Sequence, residues 1–209
     1  MAFLLSDLCP MRLSEAIDLL DHPALRAVAP HASPTNPAAA AAPASPATPA
    51  NPSTPLRWAD LGCGTGLFTE ALAHFLPAAS TIYGLDLHPA LHHDRVNDVS
   101  LIPVHSDFIN IPLPLDNLDG ILMANSLHYV KDKPQLLQQL KTHLRPHSPL
   151  LIVEYDTDRP VATWVPWPIS YTNLQPLLAE AGWPHIQKLG ERPSAYGRSN
   201  IYAALARPS

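Results

Sequence analysis

The amino-acid sequence predicts an α/β protein with a doubly wound, mostly parallel sheet and helices on both of its faces. Strand patterns alternate with helical patterns from residue 57 onward, which is typical of parallel βαβ units. The strands in the middle of this region are apolar along their whole length, as strands buried on both faces are. Three of the eight glycines fall within five positions, directly after the first strand.

Composition divides the chain into three parts. Residues 1–29 are predicted to form a helical segment in which Pro23 ends the helix and one face carries Leu13, Ile17 and Leu20. Residues 30–55 contain only Pro, Ala, Ser, Thr, Asn and one His. That block cannot bury enough apolar surface to offset its ordering entropy, so it is predicted to be a flexible linker or insertion. A proline-rich docking ligand is the alternative, although no basic residue flanks the prolines. The functional domain is predicted at residues 56–209.

Within that domain the elements follow in chain order. The predicted strands are 57–61, 81–86, 101–104, 120–124 and 150–154. The predicted helices are 67–76, 88–98, 133–145 and 172–181. An antiparallel pair, 185–189 with 200–206, is predicted to close the sheet.

Composition and charge exclude several classes of protein. The formal net charge is -5, so a basic nucleic-acid-binding protein is not expected. The two cysteines, Cys9 and Cys63, are too few for a disulfide framework or a four-cysteine zinc site. No apolar run reaches the roughly 18 residues of a membrane-spanning helix. The short apolar start lacks the preceding basic residue that a signal peptide has. We therefore expect a cytoplasmic protein with neither a membrane nor a nucleic-acid partner.

The most informative motif is the loop that connects the first strand to the first helix of the domain. It reads Asp60-Leu-Gly-Cys-Gly-Thr-Gly66, and glycines there allow positive φ and a close approach of a ligand to the backbone. The dinucleotide-binding pattern requires a further glycine where this chain has Leu67. Asp60 would also repel a pyrophosphate. The loop therefore predicts a ligand with a cationic part and no phosphate.

Two further acids follow the next two strands. Asp86 lies 20 positions after Gly66, where a carboxylate is able to accept two hydrogen bonds from a ribose; capping of a helix before His88 is the alternative. Asp107 follows the third strand. Its carboxylate would accept a hydrogen bond from an adenine amino group, with the Phe108 backbone donating to the ring, unless Asp107 is simply a turn residue.

With these motifs the sequence resembles the class I S-adenosylmethionine-dependent methyltransferases over residues 56–206. The resemblance is carried by five segments: Asp60-Leu-Gly-Cys-Gly-Thr-Gly66, Tyr83-Gly-Leu-Asp86, Ser106-Asp107-Phe108, Asn125-Ser-Leu-His-Tyr-Val130 and Leu144-Arg-Pro through Leu-Leu-Ile-Val-Glu-Tyr155. It implies a seven-stranded sheet of order 3-2-1-4-5-7-6 with the last strand antiparallel. It also implies S-adenosylmethionine as the cofactor and makes residues 56–209 a methyltransferase domain.

The resemblance also assigns roles to individual residues. The glycine loop would lie under the methionine part and the ribose, Asp86 would hold the ribose hydroxyls, and Asp107 with Phe108 would read adenine. Asn125 and Ser126 would line the methyl-donor pocket. The expected cofactor-binding residues are thus Asp60, Gly62, Cys63, Gly64, Gly66, Asp86, Leu87, Asp107, Phe108, Asn125 and Ser126.

The acceptor side of the site is less specific in the sequence. His128 and Tyr129 are the candidate catalytic residues; His128 is either a general base or a packed histidine. Trp164 and Trp167 either wall an apolar or aromatic acceptor or cover the end of the sheet. The remaining candidates for substrate binding are Tyr155, Tyr196 and Arg198; Arg198 would pair with an acceptor carboxylate.

These patterns favour transfer of a methyl group to a small-molecule acceptor by in-line displacement. The Asn/Asp-Pro-Pro-Tyr motif of enzymes that modify adenine is replaced by Asn125-Ser-Leu-His128. Two alternatives stay open: a protein that binds S-adenosylmethionine for regulation or another chemistry, and a methyltransferase for protein or RNA. No metal is expected, since His88 and His92 lie one helical turn apart without an evident third ligand.

Overall fold

The computed structural model describes residues 11–28, 54–194 and 199–209. The helices are α1 (Leu13–Leu20), α2 (Pro23–Arg26), α3 (Leu67–Ala73), α4 (Lys133–Lys141) and α5 (Tyr171–Glu180), with a short 3-10 helix at Leu127–Tyr129. The strands are β1 (Arg57–Leu61), β2 (Thr81–Asp86), β3 (Arg95–Val96), β4 (Val99–His105), β5 (Gly120–Ala124), β6 (Leu150–Tyr155), β7 (His185–Pro193) and β8 (Asn200–Arg207).

These strands form one sheet, in the order β3-β4-β2-β1-β5-β6-β8-β7. The five strands β4, β2, β1, β5 and β6 are parallel to one another. Strand β8 lies between β6 and β7 and runs antiparallel to both. The expected seven-stranded order is therefore confirmed, with the two-residue strand β3 added at one edge, antiparallel to β4.

The predicted helix at 88–98 is wrong. The chain there forms a loop and then a hairpin of β3 and β4, which turns at Asn97 and Asp98 with φ angles of 48° and 61°. Two consecutive positive φ values are typical of the tight two-residue hairpin turn, and asparagine and aspartate adopt them more readily than other non-glycine residues. The turn chemistry of this dipeptide thus outweighs the weak helical spacing before it.

The sheet separates two apolar cores. One face packs Trp58, Leu72 and Ile82 with α1 and α3, and the other packs Ile121, Leu137 and similar side chains with α4 and α5. Strand β5 is buried at all five positions, as expected for a strand covered on both faces. The sheet is thereby fixed as a rigid frame for the loops at its edge.

The N-terminal helices pack onto the same frame. Helix α1 buries Ala16, Leu19 and Leu20 in the core that it shares with α3, and Glu15 pairs with Arg192 of β7 at 2.7 Å. Helix α1 ends before Pro23, as expected, and this proline then occupies the first turn of α2, where its missing N–H costs no hydrogen bond. In the described residues no helix is long and apolar enough to cross a membrane.

Candidate cofactor and acceptor site

The predicted cofactor-binding residues lie where the parallel strands β1, β2, β4 and β5 end. The carboxyl ends of parallel strands meet at one edge of a sheet, and ligands of open α/β sheets bind there. Asp60 is the fourth residue of β1, Asp86 ends β2, Asn125 follows β5 directly, and Glu154 is the fifth residue of β6. The topology therefore brings together side chains that are far apart in the sequence.

The glycine loop is fastened to the neighbouring strand by its backbone. Gly62, Gly64 and Gly66 have φ angles of 81°, 53° and 91°, in the region where glycine has no steric penalty. The N–H groups of Gly62 and Cys63 both donate to the Leu85 carbonyl oxygen, at 2.7 and 3.1 Å. The loop thus turns sharply while remaining attached to β2.

Asp86 holds the centre of this loop. Its Oδ2 accepts a hydrogen bond from the Gly64 N–H at 3.0 Å, and its Oδ1 accepts one from the His88 N–H at 2.9 Å. No helix begins at His88, so Asp86 orders a turn there and does not cap a helix. Each carboxylate oxygen has further acceptor capacity, which leaves room for ribose hydroxyls. The neighbouring Leu87 is 50% exposed.

Asp60 is a buried carboxyl group of which only one oxygen is hydrogen-bonded within the described part of the chain. The residue is 1% exposed, and its Oδ2 accepts a hydrogen bond from the Thr69 hydroxyl at 2.6 Å, while its Oδ1 has no partner among the described residues. Burial, and to a lesser degree the negative charge of Asp86, raise the pKa of Asp60 from 3.8 to about 7, against the opposite effect of the Thr69 hydrogen bond. A cationic group placed beside Oδ1 would satisfy this oxygen and favour its ionised form.

Asn125 and Ser126 close the opposite side of the loop. Ser126 is buried, and its hydroxyl donates to the Leu61 carbonyl oxygen at 2.5 Å. Asn125 has a positive φ of 53°, and its Oδ1 is a second buried oxygen to which no described residue donates. The nearby Cys63 is also buried, and burial raises the pKa of its thiol, so it remains a neutral, small packing residue.

Asp107 forms a turn of its own. Its two carboxylate oxygens accept hydrogen bonds from the Asn110 backbone N–H at 3.3 Å and from the Asn110 side-chain amide at 2.8 Å. The structure thus contains the turn that was the alternative interpretation of Asp107. Phe108 is half-buried against the core, and its ring edge lies 3.7 Å from the point where a Cβ on Gly62 would stand.

His128 is paired with Glu154 in the interior. The two residues are 2% and 0% exposed. Glu154 Oε2 lies 2.7 Å from His128 Nδ1, and Glu154 Oε1 accepts a hydrogen bond from the His128 backbone N–H at 3.1 Å. The His128 ring centroid is 4.4 Å from that of Tyr129 and 6.1 Å from that of Tyr155. Burial and the charge of Glu154 raise the pKa of Tyr129.

A buried lysine connects this pair to the tryptophan segment. Lys133 Nζ donates to the carbonyl oxygens of Val130 at 2.9 Å and Trp167 at 2.6 Å, and the Trp167 N–H donates to the His128 carbonyl oxygen at 2.9 Å. Trp164 and Trp167 are 42% and 44% exposed. The backbone of Trp167 is thus fixed beside His128 while its ring remains accessible.

Two predicted site residues, and residues 30–53 of the predicted linker, lie outside the described residues. Two residues of the site were missed by the sequence. Tyr196 and Arg198 belong to the first pair. Glu154 and Lys133 are the second pair. A glutamate in the otherwise apolar strand Leu150–Tyr155 was the available signal, because a fully buried acid requires a partner. In the described part of the chain no group of three metal-binding side chains comes together.

The chain resembles known proteins over the region that contains this site. Residues 59–152 match the family model described as a methyltransferase domain. A 2-phytyl-1,4-naphtoquinone methyltransferase of Nostoc punctiforme is 28% identical over 103 residues, 46% of this chain and 45% of that protein. The mitochondrial arginine-hydroxylase NDUFAF5 of Rattus norvegicus is 28% identical over 88 residues, 42% of this chain and 25% of that protein. The matches thus span less than half the length of these two relatives.

The fold of the chain is similar to that of a methyltransferase of known structure. The 1,6-didemethyltoxoflavin-N1-methyltransferase of Burkholderia thailandensis, crystallised with 1,6-didemethyltoxoflavin and S-adenosylhomocysteine, has a TM-score of 0.54 and 17% identity and covers 74% of this chain and 72% of its own. The sheet order and the glycine loop define a Rossmann-like α/β protein with a ligand site at the strand ends. Over residues 59–152 the chain is thus similar to methyltransferase domains, and its fold is that of the methyltransferase from Burkholderia thailandensis.

Proposed function

We propose that this protein transfers a methyl group from S-adenosylmethionine to a small-molecule acceptor by in-line displacement. The observation that carries the proposal is the buried Oδ1 of Asp60, to which no described residue donates, beside a glycine loop with three positive φ angles. An unsatisfied buried carboxylate oxygen is costly, and the cationic methionine part of the cofactor is a suitable partner. A cytoplasmic location and a domain spanning residues 56–209 are part of the same proposal.

Each residue at the strand ends is proposed to bind a different part of the cofactor. Asp60 takes the methionine part, Gly62, Cys63, Gly64 and Gly66 form the loop beneath it, and Asp86 takes the ribose. The exposed Leu87 covers one side of the adenine, with Asp107 and Phe108 on its edge, and Asn125 and Ser126 border the methyl group. When bound, the cofactor supplies an electrophilic methyl group, and much of the barrier is lowered by positioning the acceptor in line with it.

The acceptor is proposed to bind between the tryptophan segment and His128. Trp164 and Trp167 have partly exposed indoles, which suit an apolar or aromatic molecule. Lys131 Nζ lies over the Trp167 ring, 5.4 Å from its centroid. Tyr129 and Tyr155 lie beside the imidazole, and Tyr196 and Arg198 are assigned to the same mouth from the sequence alone. Two of the similar proteins are named for action on ring compounds, a naphthoquinone and a toxoflavin precursor, which supports a small-molecule acceptor.

A second candidate function is a cofactor-dependent reaction other than methyl transfer to a small molecule. It is favoured by the similarity to a protein that is named as an arginine hydroxylase. Radiolabelled methyl groups separate the two. Label from S-adenosylmethionine should appear in a small molecule when the protein is incubated with a metabolite extract. Label in protein or RNA, or cofactor binding without any transfer, would support the alternatives. Calorimetry with S-adenosylhomocysteine in the presence of a chelator tests binding without a metal.

Alanine at two of the loop glycines should give different results. A Cβ on Gly62 would stand 2.5 Å from Ser126 Cβ, whereas a Cβ on Gly64 meets no atom of the described residues within 4 Å. We expect Gly62→Ala to destabilise the fold by roughly 2 kcal/mol or more, through overpacking and a positive φ. Gly64→Ala should lower the free energy of unfolding by only about 1–2 kcal/mol. It should nevertheless weaken the binding of S-adenosylhomocysteine at least tenfold, because the new methyl group enters the space proposed for the cofactor. Thermal unfolding and calorimetry of both variants check this. A Gly64→Ala protein with unchanged affinity for S-adenosylhomocysteine would show that the cofactor does not bind against this loop.

A further inference from the structure

We propose that Glu154 is a positioning residue that keeps the proton of neutral His128 on Nδ1, so that Nε2 serves as the base for a planar acceptor with an acidic, phenol-like or enol-like hydroxyl group. This inference rests on the proposed function, because it names the acceptor class of the same site. It adds a residue that the sequence alone did not indicate and a reason for the buried charge in β6.

The contacts of Glu154 favour Nδ1 as the nitrogen of neutral His128 that carries the proton. Glu154 contacts His128 with both oxygens, one on the backbone N–H and one on Nδ1. A backbone N–H bond to a carboxylate favours its ionised form, and an imidazole binds a proton more tightly than a carboxylate does. An ionised carboxylate only accepts hydrogen bonds, so Nδ1 must donate. Neutral His128 then has its lone pair on Nε2.

The surroundings make this arrangement rigid. Both side chains of the pair are almost fully buried, with 3% and 1% of their side-chain surface exposed. Lys133 carries a compensating positive charge nearby: burial lowers its pKa, and the charge of Glu154 acts in the opposite direction. Lys133 also donates to the Trp167 backbone carbonyl oxygen, and the Trp167 backbone N–H donates to the His128 carbonyl oxygen. These main-chain bonds hold the segments that carry the imidazole and the indole together as one unit.

This unit selects for the chemistry of the acceptor. An ordinary imidazole has a pKa of about 6.5 and a phenol a pKa of about 10. A positioned imidazole is able to accept the proton of such a hydroxyl in the transition state despite this difference in pKa. A water-like hydroxyl, with a pKa of about 15.7, is far beyond it. The two exposed tryptophans favour a flat ring over a saturated one. Together these features point to a planar molecule whose hydroxyl is acidic.

The proton and electron balance is complete without a further reactant. The acceptor O–H bond breaks, and its proton moves to Nε2 of His128. The oxygen electron pair forms the new bond to the methyl carbon, and the electron pair of the carbon–sulfur bond stays on sulfur. His128 leaves the step as an imidazolium paired with Glu154 and returns its proton to solvent before the next cycle.

Glu154→Gln tests the positioning role directly. If the amide oxygen stays on the His128 backbone N–H, the amide NH2 faces Nδ1 and donates to it, which moves the proton of His128 to Nε2. Nitrogen-15 NMR of the imidazoles, with His128 assigned through His128→Gln, should show the Nδ1–H tautomer in the wild type and the Nε2–H tautomer in the variant. An Nε2–H tautomer in the wild type, or no change in the variant, would overturn the proposal.

Kinetics with chosen acceptors test the acceptor class. We expect 1-naphthol to be methylated and cyclohexanol not, and Glu154→Gln to lower kcat for 1-naphthol on the order of 100-fold, within the usual range for a general base. The KM should change by less than about threefold, since the acceptor contacts stay in place. Glu70→Gln is the matched control, since Glu70 also pairs with a histidine, His93, at 2.8 Å but away from the proposed acceptor, and it should leave kcat unchanged. Absence of 1-naphthol methylation, or equal rates for cyclohexanol, would overturn the acceptor class.

A purely structural role for Glu154 gives a different pattern. It would lower the melting temperature of Glu154→Gln without a change of tautomer and without a selective loss of kcat. Failure of the proposed function is separately visible, because S-adenosylhomocysteine would then not bind to the wild type in calorimetry. The NMR result judges the His128–Glu154 pair in either case.

Discussion

Asp60→Asn should stabilise the cofactor-free protein at pH 8 and leave its stability at pH 4 nearly unchanged. The folded state keeps a proton on Asp60 up to a pKa of about 7, whereas the unfolded chain loses it near the ordinary value of 3.8. Wild-type stability therefore falls as the pH rises from about 4 to about 7 and is level above that. Ionising this buried carboxyl costs the folded state at most on the order of 4 kcal/mol at pH 8, and asparagine removes that cost while its oxygen still accepts from Thr69.

The same substitution should weaken the binding of the cofactor. The proposed cationic partner of Asp60 favours the ionised carboxylate, so the affinity of the wild type for S-adenosylhomocysteine should rise as the pH increases through 7. Asp60→Asn should bind at least tenfold more weakly at pH 8 and lose this pH dependence. Chemical denaturation at pH 4 and pH 8 gives the stability, and calorimetry at pH 5 and pH 8 gives the affinity. Thr69→Val is a useful second variant: it removes a hydrogen bond that lowers the pKa of Asp60, so the wild-type pH response should move to higher pH. A destabilised Asp60→Asn at pH 8 would contradict the assignment.

Asp86→Ala should weaken the binding of S-adenosylhomocysteine by roughly 100-fold or more, since each of two charge-assisted hydrogen bonds contributes roughly 1.5–3 kcal/mol. The carboxylate is proposed to accept two ribose hydrogen bonds, and it also holds the Gly64 N–H. Asp107→Ala should have a smaller effect, because Asp107 is proposed to accept a single bond from adenine and its oxygens already bond to Asn110.

Dissociation constants for the wild type and both variants measure this difference. Both variants should stay folded, because each acid lies at the end of a strand and outside the apolar cores; circular dichroism and thermal unfolding confirm that. An Asp86→Ala protein that binds within about twofold of the wild type would show that Asp86 orders only the turn at His88. Equal losses of affinity for the two variants would show that the ribose does not bind to Asp86.

The sequence predicted most of the frame correctly because local patterns specify it. The apolar segments that became β1, β2, β5 and β6 are long enough, and bounded by clear enough turns, to be recognised. Where a local pattern was ambiguous, as from His88 to Asp98, the prediction of a helix was wrong, because the Asn97–Asp98 turn forms a hairpin instead.

The glycine loop, its acid and the positions of the strands along the chain were determined by the sequence itself, because positive φ angles, apolar strands and turn residues are local requirements that each residue type meets or fails. The order of the strands in the sheet was expected only from the family resemblance. Only the tertiary structure decided which polar groups face one another. Glu154 and His128 are 26 positions apart, and no periodicity links them; the parallel pairing of β5 with β6 brings them together. The buried Oδ1 of Asp60 and the occupied carboxylate of Asp107 are likewise results of packing, since burial and hydrogen-bond partners depend on every element that surrounds a residue.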